Sequence, residues 1–186
     1  MAITTLPSIE QFRTVVFDFD GVFTNNKVYF NAEGEEFVQC DRRDGMGLLI
    51  LKNYLEKKSI DLKIMILSKE KNEVVKARAN KLGIECLHGV DDKYASMKTY
   101  FENQSIDIET GFKTLAYLGN DLNDLEVMMH AGLSVAPHDA HPLILKNAHC
   151  VSERDGGDEF IRDFIEKWIE LPSIEQNLLL DILSHR

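Results

Sequence analysis

The chain has 186 residues, 44% of them hydrophobic, which is enough to bury one core, and it reads as a single domain over 1–186. Lys and Arg number 21 against 31 Asp and Glu, and the net charge of −10 excludes nucleic acid and anionic membrane as main partners. The start, "MAITTLPSIEQF", has no charged or apolar leader region, and no apolar run is long enough to span a bilayer. Cys40, Cys86 and Cys150 fall in apolar, strand-like settings without metal-ligand spacing, so the expectation is a cytoplasmic protein with reduced, buried thiols.

In chain order, "TVVFDFD" (14–20) is the first predicted strand, and its period of two puts Asp18 and Asp20 on one face. Two alternating runs around "NAEGE" predict a β-hairpin over 27–40, with Val28, Phe30, Phe37 and Cys40 as its apolar face. A helix over "GLLILKNYLEKK" leads to the strand "LKIMILS" (62–68), which ends in Ser68. The helix "NEVVKARANKLG" and the strand "ECLHG" (85–89) follow, then Lys93 after "HGVDD" and the helix "KYASMKTYFENQ". The strand "TLAYLG" (114–119) runs into Asn120, Asp121 and Asp124, ahead of the helix "DLEVMMHAG". The strand "LSVAP" (133–137), the helix "PLILKNA" and the strand "HCVSE" (149–153) complete the alternation. After Pro172, an amphipathic helix over about 173–186 carries Leu178, Leu179, Ile182 and Leu183 on one side, for packing on its own domain or on another subunit.

Near-continuously apolar strands alternating with helices predict an α/β fold, a doubly wound parallel sheet with its ligand site beyond the carboxyl ends of the strands. Taken singly, Ser68 can be a helix cap, Lys93 a solvated lysine and "GNDLND" a turn with a cap. Together, carboxylates from two strand ends, a hydroxyl and a lysine at one sheet edge suit a phosphoryl group and Mg²⁺, a hard cation that takes oxygen ligands. An aspartate in such a set can act as nucleophile and carry the phosphoryl group.

"DFDGVFT", "ILS", the lysine after "HGVDD" and "GNDLND", in that order, resemble the four motifs of the haloacid-dehalogenase-like phosphatases. Over residues 13–168 the chain is similar to their capless branch, which acts on 3-deoxy-2-keto sugar acid phosphates. "GLSVAPHDAHP" and "SERDGGDEFIRDF" share in that likeness. The resemblance implies a Rossmann-like fold without a cap domain, Asp18 as nucleophile and Asp20 as general acid and base. It places Ser68 and Lys93 on the phosphoryl oxygens, and Asp18, the Asp20 carbonyl and Asn120 around Mg²⁺, with Asp121 or Asp124 as alternative ligands. Gly21 would let the backbone approach the phosphate. Asn120 stands where the family usually has aspartate. "SKE" (68–70) replaces an arginine-bearing motif of the octulosonate 8-phosphate enzymes, Leu49 replaces another arginine, and Glu70 resembles the nonulosonate 9-phosphate side. Asp41, Arg43, Asp44 and Gly45, with Glu70 and Arg78, remain as expected substrate contacts. The resemblance implies a homotetramer in which the 27–40 hairpins cover neighbouring sites and the Gly156–Gly157 loop reaches across. The reading is a Mg²⁺-dependent phosphatase of a small anionic sugar phosphate, nonulosonate 9-phosphate ahead of octulosonate 8-phosphate. The alternative of another class is a non-catalytic oligomerisation module like those associated with acylneuraminate cytidylyltransferases.

Overall fold

The computed structural model describes residues 5–184. Strands β1 (Thr14–Phe17), β4 (Lys63–Leu67), β5 (Glu85–Leu87), β6 (Leu115–Leu118), β7 (Leu133–Ala136) and β8 (Cys150–Val151) form one parallel sheet, ordered β5–β4–β1–β6–β7–β8. The helices are α1 (Arg42–Lys58), α2 (Glu73–Leu82), α3 (Lys93–Asn103), α4 (Ile108–Lys113), α5 (Leu125–His130), α6 (Pro142–Asn147), α7 (Phe160–Trp168) and α8 (Gln176–Ser184). Strands buried on both faces need apolar residues at every position, and in β1 Val15, Val16 and Phe17 are all inaccessible to solvent. Val15 and Phe17 join a core with Leu48, Leu51, Phe160 and Phe164, whereas Val16 joins a second core with Met97, Phe101, Phe112 and Val127.

Local chemistry accounts for the helix ends. The Asp41 carboxylate accepts from Arg43 N at 2.7 Å and caps α1, so this helix begins five residues before the predicted "GLLILKNYLEKK". Asn72 caps α2, which stops at Gly83 in the left-handed conformation. Helices α4 and α7 lie outside the predicted set. The buried residues Phe160, Ile161, Phe164, Ile165 and Trp168 of α7 follow helical spacing, a signal present in the sequence. Strands β5 and β8 shrink to three and two residues, and β1 ends at Phe17, so Asp18 and Asp20 lie in the following loop.

The predicted hairpin is present as β2 (Thr24–Phe30) and β3 (Glu36–Cys40), paired with each other apart from the main sheet. Its register sets Val28 opposite Val38, Tyr29 opposite Phe37, and Phe30 opposite Glu36. Phe37 therefore shares a face with Tyr29, not with Val28 and Phe30 as expected, because facing residues of an antiparallel pair project together. Both faces are apolar, and Phe30 is 65% exposed. The three cysteines are free thiols, half-buried rather than fully buried.

Of the two readings of the tail, the structure shows packing on the chain's own fold. In α8, Ile182 is fully buried, and its carbonyl accepts from Asn53 Nδ2 of α1 at 2.7 Å. Leu178 packs partly against the same core, while Leu183 stays exposed. Ile182→Ala should lower stability by about 2–4 kcal/mol, since a buried aliphatic truncation leaves a cavity. Urea unfolding measures this, and an unchanged midpoint would mean that α8 does not dock.

Candidate active site

From β1 the chain builds outward to β4 and β5, then returns to β6 on the other side of β1 and continues to β7 and β8. Loops leaving β1 and β6 therefore diverge, and the crevice between them is where such sheets take ligands. Asp18 follows β1, Asp124 lies in the turn after β6, and Lys93 is the first residue of α3. Lys93 Nζ lies 2.6 Å from Asp18 Oδ1 and 2.7 Å from Asp124 Oδ1, with all three side chains nearly inaccessible. Burial opposes the lysine's charge, but the two carboxylates outweigh it and hold the ammonium above its ordinary pKa. Burial first, then the Asp124 charge, pushes the Asp18 carboxyl well above its usual range, and Lys93 only partly offsets this. The cluster is short of positive charge.

Each oxygen of Asp124 is engaged twice. Lys93 and the Tyr117 hydroxyl (2.8 Å) donate to Oδ1, while the backbone N–H groups of Asn120 (2.9 Å) and Asp121 (3.2 Å) donate to Oδ2. That makes Asp124 an anchor for the lysine and the turn, with both of its oxygens engaged. Asp121 caps the same turn through Leu122 N at 2.7 Å. The amide oxygen of Asn120, by contrast, is buried and has no hydrogen-bond partner. Both bonds to Asp18, from Lys93 and from Phe19 N (2.7 Å), fall on Oδ1. Asp18 and Asn120 thus offer oxygens for a hard cation, the Asp20 carbonyl can join them, and an orphaned buried acceptor is what such a site contains before its ion is counted. No group of three His, Cys, Asp or Glu side chains is gathered for a metal among the described residues. Gly21 stands at φ +80°, and a side chain there would collide with the Asn120 amide, so glycine is needed for the amide's place as well as for the turn.

A cleft of about 440 Å³ opens over these groups, lined by Asp18, Asp20, Ser68, Glu70, Asn120 and Asp121 from the expected set. The Ser68 side chain is buried at its floor and accepts from Glu70 N at 3.1 Å. The Glu70 carboxylate turns back onto the N–H groups of Lys71 (2.7 Å) and Asn72 (2.9 Å). Asn26, Lys69, Lys71, Asp91 and Asn123 also line the cleft and were not expected there. The adjoining "SKEK" carries its two lysines in the open sequence, but only the turn after β4 brings them to the rim. A larger recess of about 610 Å³, between Thr5–Ile9, Tyr54 and Trp168, has Lys167 and Glu170 as its charged residues and no paired carboxylates.

The 41–45 stretch and Arg78 do not line the cleft. Asp41 caps α1, and Arg43 pairs with Asp41, Asp158 and Glu159 at 2.5–2.9 Å. The Arg78 guanidinium donates to the Asp41 carbonyl at 3.0 Å and lies against Gly45, with its Nε buried and unpartnered. Asp44 is fully buried, and its Oδ1 accepts from Arg162 N at 3.0 Å. Helix α7 has no side-chain cap of its own, so Asp44 caps it from α1. Helix starts after aspartate place these groups, and hold them away from the lining of this cleft. The Gly156–Gly157 loop packs against the Gly21–Thr24 loop of its own chain, with Gly157 N donating to Val22 O at 3.0 Å.

Residues 23–158 match the haloacid dehalogenase-like hydrolase family. The 3-deoxy-D-manno-octulosonate 8-phosphate phosphatase KdsC of Yersinia pestis is 34% identical over 152 residues, covering 81% of this chain and 76% of that protein. A Streptomyces avermitilis protein whose structure is assigned to the HAD family of hydrolases superposes with TM-score 0.80 at 38% identity, covering 95% and 97% of the two chains. The Yersinia pestis octulosonate 8-phosphate phosphatase structure gives TM-score 0.76 at 28% identity, covering 95% and 86%.

The buried Asp44 carboxyl is pushed up to about 7, first by burial, which its bonds to Arg162 and Ile161 N–H groups only partly offset. In the unfolded chain an aspartate ionises near 4. Between these values the unfolded state releases a proton that the folded state keeps, so the Asp44 contribution to stability is highest below pH 4, falls as pH rises to about 7, and then levels. Asp44→Asn keeps an acceptor for Arg162 N and removes that slope. The stability of the variant relative to wild type should rise by roughly 4 kcal/mol between pH 4 and pH 7.5. Urea unfolding at both pH values checks it, and a constant difference would show that burial leaves the Asp44 carboxyl unshifted.

Proposed function

The chain belongs to the haloacid dehalogenase-like hydrolases, and we propose that it hydrolyses the phosphate monoester of a 3-deoxy-2-keto sugar acid. The observation that carries this reading is the buried Asp18–Lys93–Asp124 cluster, one positive charge short, whose Asp18 lines a cleft rimmed by Lys69 and Lys71. An inert oligomerisation module has no use for three desolvated charges. The lysines also supply local positive charge for an anionic substrate on a chain of net charge −10.

Asp18 Oδ2, free of hydrogen bonds from the protein, attacks phosphorus, while Oδ1 is fixed by Lys93 and Phe19 N. Asp20, at the cleft wall, gives its proton to the leaving sugar oxygen and then takes one from the water that hydrolyses the aspartyl-phosphate. Burial raises the Asp20 carboxyl, which favours its protonated, acid form. Ser68 and Lys93 hold phosphoryl oxygens. Mg²⁺ fits Asp18, the Asp20 carbonyl and Asn120, and when bound it supplies the positive charge that the phosphoryl oxygens need.

Within this class the curated relatives act on octulosonate 8-phosphate, whereas Glu70 on the cleft wall supports a nonulosonate 9-phosphate. A carboxylate there accepts hydrogen bonds from sugar hydroxyls and repels the substrate's own carboxylate. The nine-carbon chain, phosphorylated at its far end, carries that carboxylate farther from the phosphate. Released phosphate should be measured with Mg²⁺ across a panel of sugar acid phosphates, for wild type and Asp18→Asn. We expect nonulosonate 9-phosphate to be preferred, activity to vanish with chelator, and the variant to lose all turnover with its fold intact. Turnover by Asp18→Asn at the wild-type rate would overturn the covalent route, and a preference for octulosonate would overturn the finer assignment.

We also infer a homotetramer. The β2–β3 ribbon exposes Val28, Tyr29, Phe30 and Phe37 on its two faces, and a two-stranded ribbon is marginal in water unless covered. A second copy of the same ribbon can pair its edges and bury those faces. Sedimentation should give four chains for wild type and smaller species after deletion of 28–39. A monomeric wild type with full activity on the sugar acid phosphate would sink this assignment.

A further inference from the structure

Thr24, the last residue of "DFDGVFT" and given no role above, is fully buried in the loop that carries Asp20. Its Oγ1 accepts from Gly21 N at 3.3 Å and from Asn26 N at 3.1 Å, and lies 3.3 Å from Asp20 Oδ1. A hydroxyl has two lone pairs and one proton. With both lone pairs facing N–H donors, the proton has one acceptor left, Asp20 Oδ1. Asn26 reaches this contact in a left-handed conformation (φ 61°), which costs a non-glycine residue some energy and is held by its surroundings. The backbone of Thr24 is equally fixed. Its N–H bonds Phe19 O at 3.3 Å, it pairs with Cys40 across the ribbon, and Gly157 packs so tightly on it that a side chain there would strike the Thr24 carbonyl carbon.

We propose that Thr24 is a positioning residue for Asp20. Its hydroxyl occupies Oδ1 with a donor that cannot turn away, so Oδ2 is the oxygen that gives and takes the proton. This rests on the phosphatase reading and adds a residue to it. In the first half-reaction the Asp18–phosphorus bond forms and the bond from phosphorus to the sugar oxygen breaks. The Asp20 Oδ2 proton passes to that leaving oxygen. In the second, the oxygen of a water bonds to phosphorus, the Asp18–phosphorus bond breaks, and the water's proton returns to Oδ2. Thr24 keeps its own proton throughout.

A positioned acid matters where the leaving group is a poor one. An alkoxide needs its proton as the bond breaks, whereas 4-nitrophenolate leaves without it, and kcat/KM reports only steps up to that departure. The test compares kcat/KM on 4-nitrophenyl phosphate with that on the sugar acid phosphate turned over fastest by wild type. Thr24→Val should lose about 10²-fold on the sugar ester, the scale of a misplaced catalytic group, and under about threefold on the aryl ester. Thr24→Ser, which restores the hydroxyl, should recover the sugar-ester rate to within about threefold of wild type on the same scale. If Thr24→Val does not fold, Thr24→Cys replaces it with the same ordering, because a thiol donates weakly. Equal losses on both esters, or no loss on either, would overturn the assignment and leave Thr24 a packing residue. Wild type releasing phosphate from neither ester would instead overturn the phosphatase reading, and this assignment with it.

Discussion

Lys93 Nζ sits between the Asp18 and Asp124 carboxylates at 2.6 and 2.7 Å, and water reaches almost none of the three side chains. Removing such ions from water costs several kcal/mol each, and their attraction compensates only when geometry is good and the remaining oxygens are bonded. Here the Tyr117 hydroxyl and two backbone N–H groups complete Asp124, and Phe19 N supports Asp18. What is left over is one uncompensated negative charge and two unoccupied acceptors, Asp18 Oδ2 and Asn120 Oδ1. That residue of unmet demand is the chemical content of the site.

Strand register brings the three charges together. In the pairing of β1 with β6, Phe17 stands opposite Leu118, so both loops leave the sheet at one level and Asp18 N bonds Leu118 O at 2.9 Å. Tyr117 is a strand residue whose ring belongs to the core under α3 and α4, and its hydroxyl reaches up to Asp124. A slip of one residue in β6 would turn that hydroxyl to the other face of the sheet. The fold's hydrophobic pattern and the site's electrostatics are therefore one constraint expressed twice.

A second layer of support comes from the end of the chain. The Gly156–Gly157 loop presses on Gly21–Thr24, Arg43 binds Asp158 and Glu159, and Asp44 caps α7. The segment "SERDGGDEF" thus clamps the loop that bears Asp20 to the first turn of α1. Residues that resemble substrate contacts in sequence act here on the geometry of the loop.

Composition, continuous apolar runs and the spacing of "DFDGVFT", Ser68, Lys93 and "GNDLND" were sufficient for the parallel sheet, the edge that bears the chemistry and most of the groups gathered there. These features are local or strictly periodic, and burial on both faces leaves a strand little choice of residue. Helix α4 escaped notice because six residues containing Thr110 and Gly111 carry little intrinsic helix preference, and Gly111 is there to admit the Phe101 ring. The fates of individual carboxylates were not legible in the same way. Asp18, Asp44 and Asp124 are chemically identical in sequence, yet one is left with a free oxygen, one caps a helix 118 residues away, and one is saturated by four donors. Only the packed chain decides which donors surround each carboxylate, because those donors come from distant elements and a hydrogen-bond partner has no signature in the residues beside it.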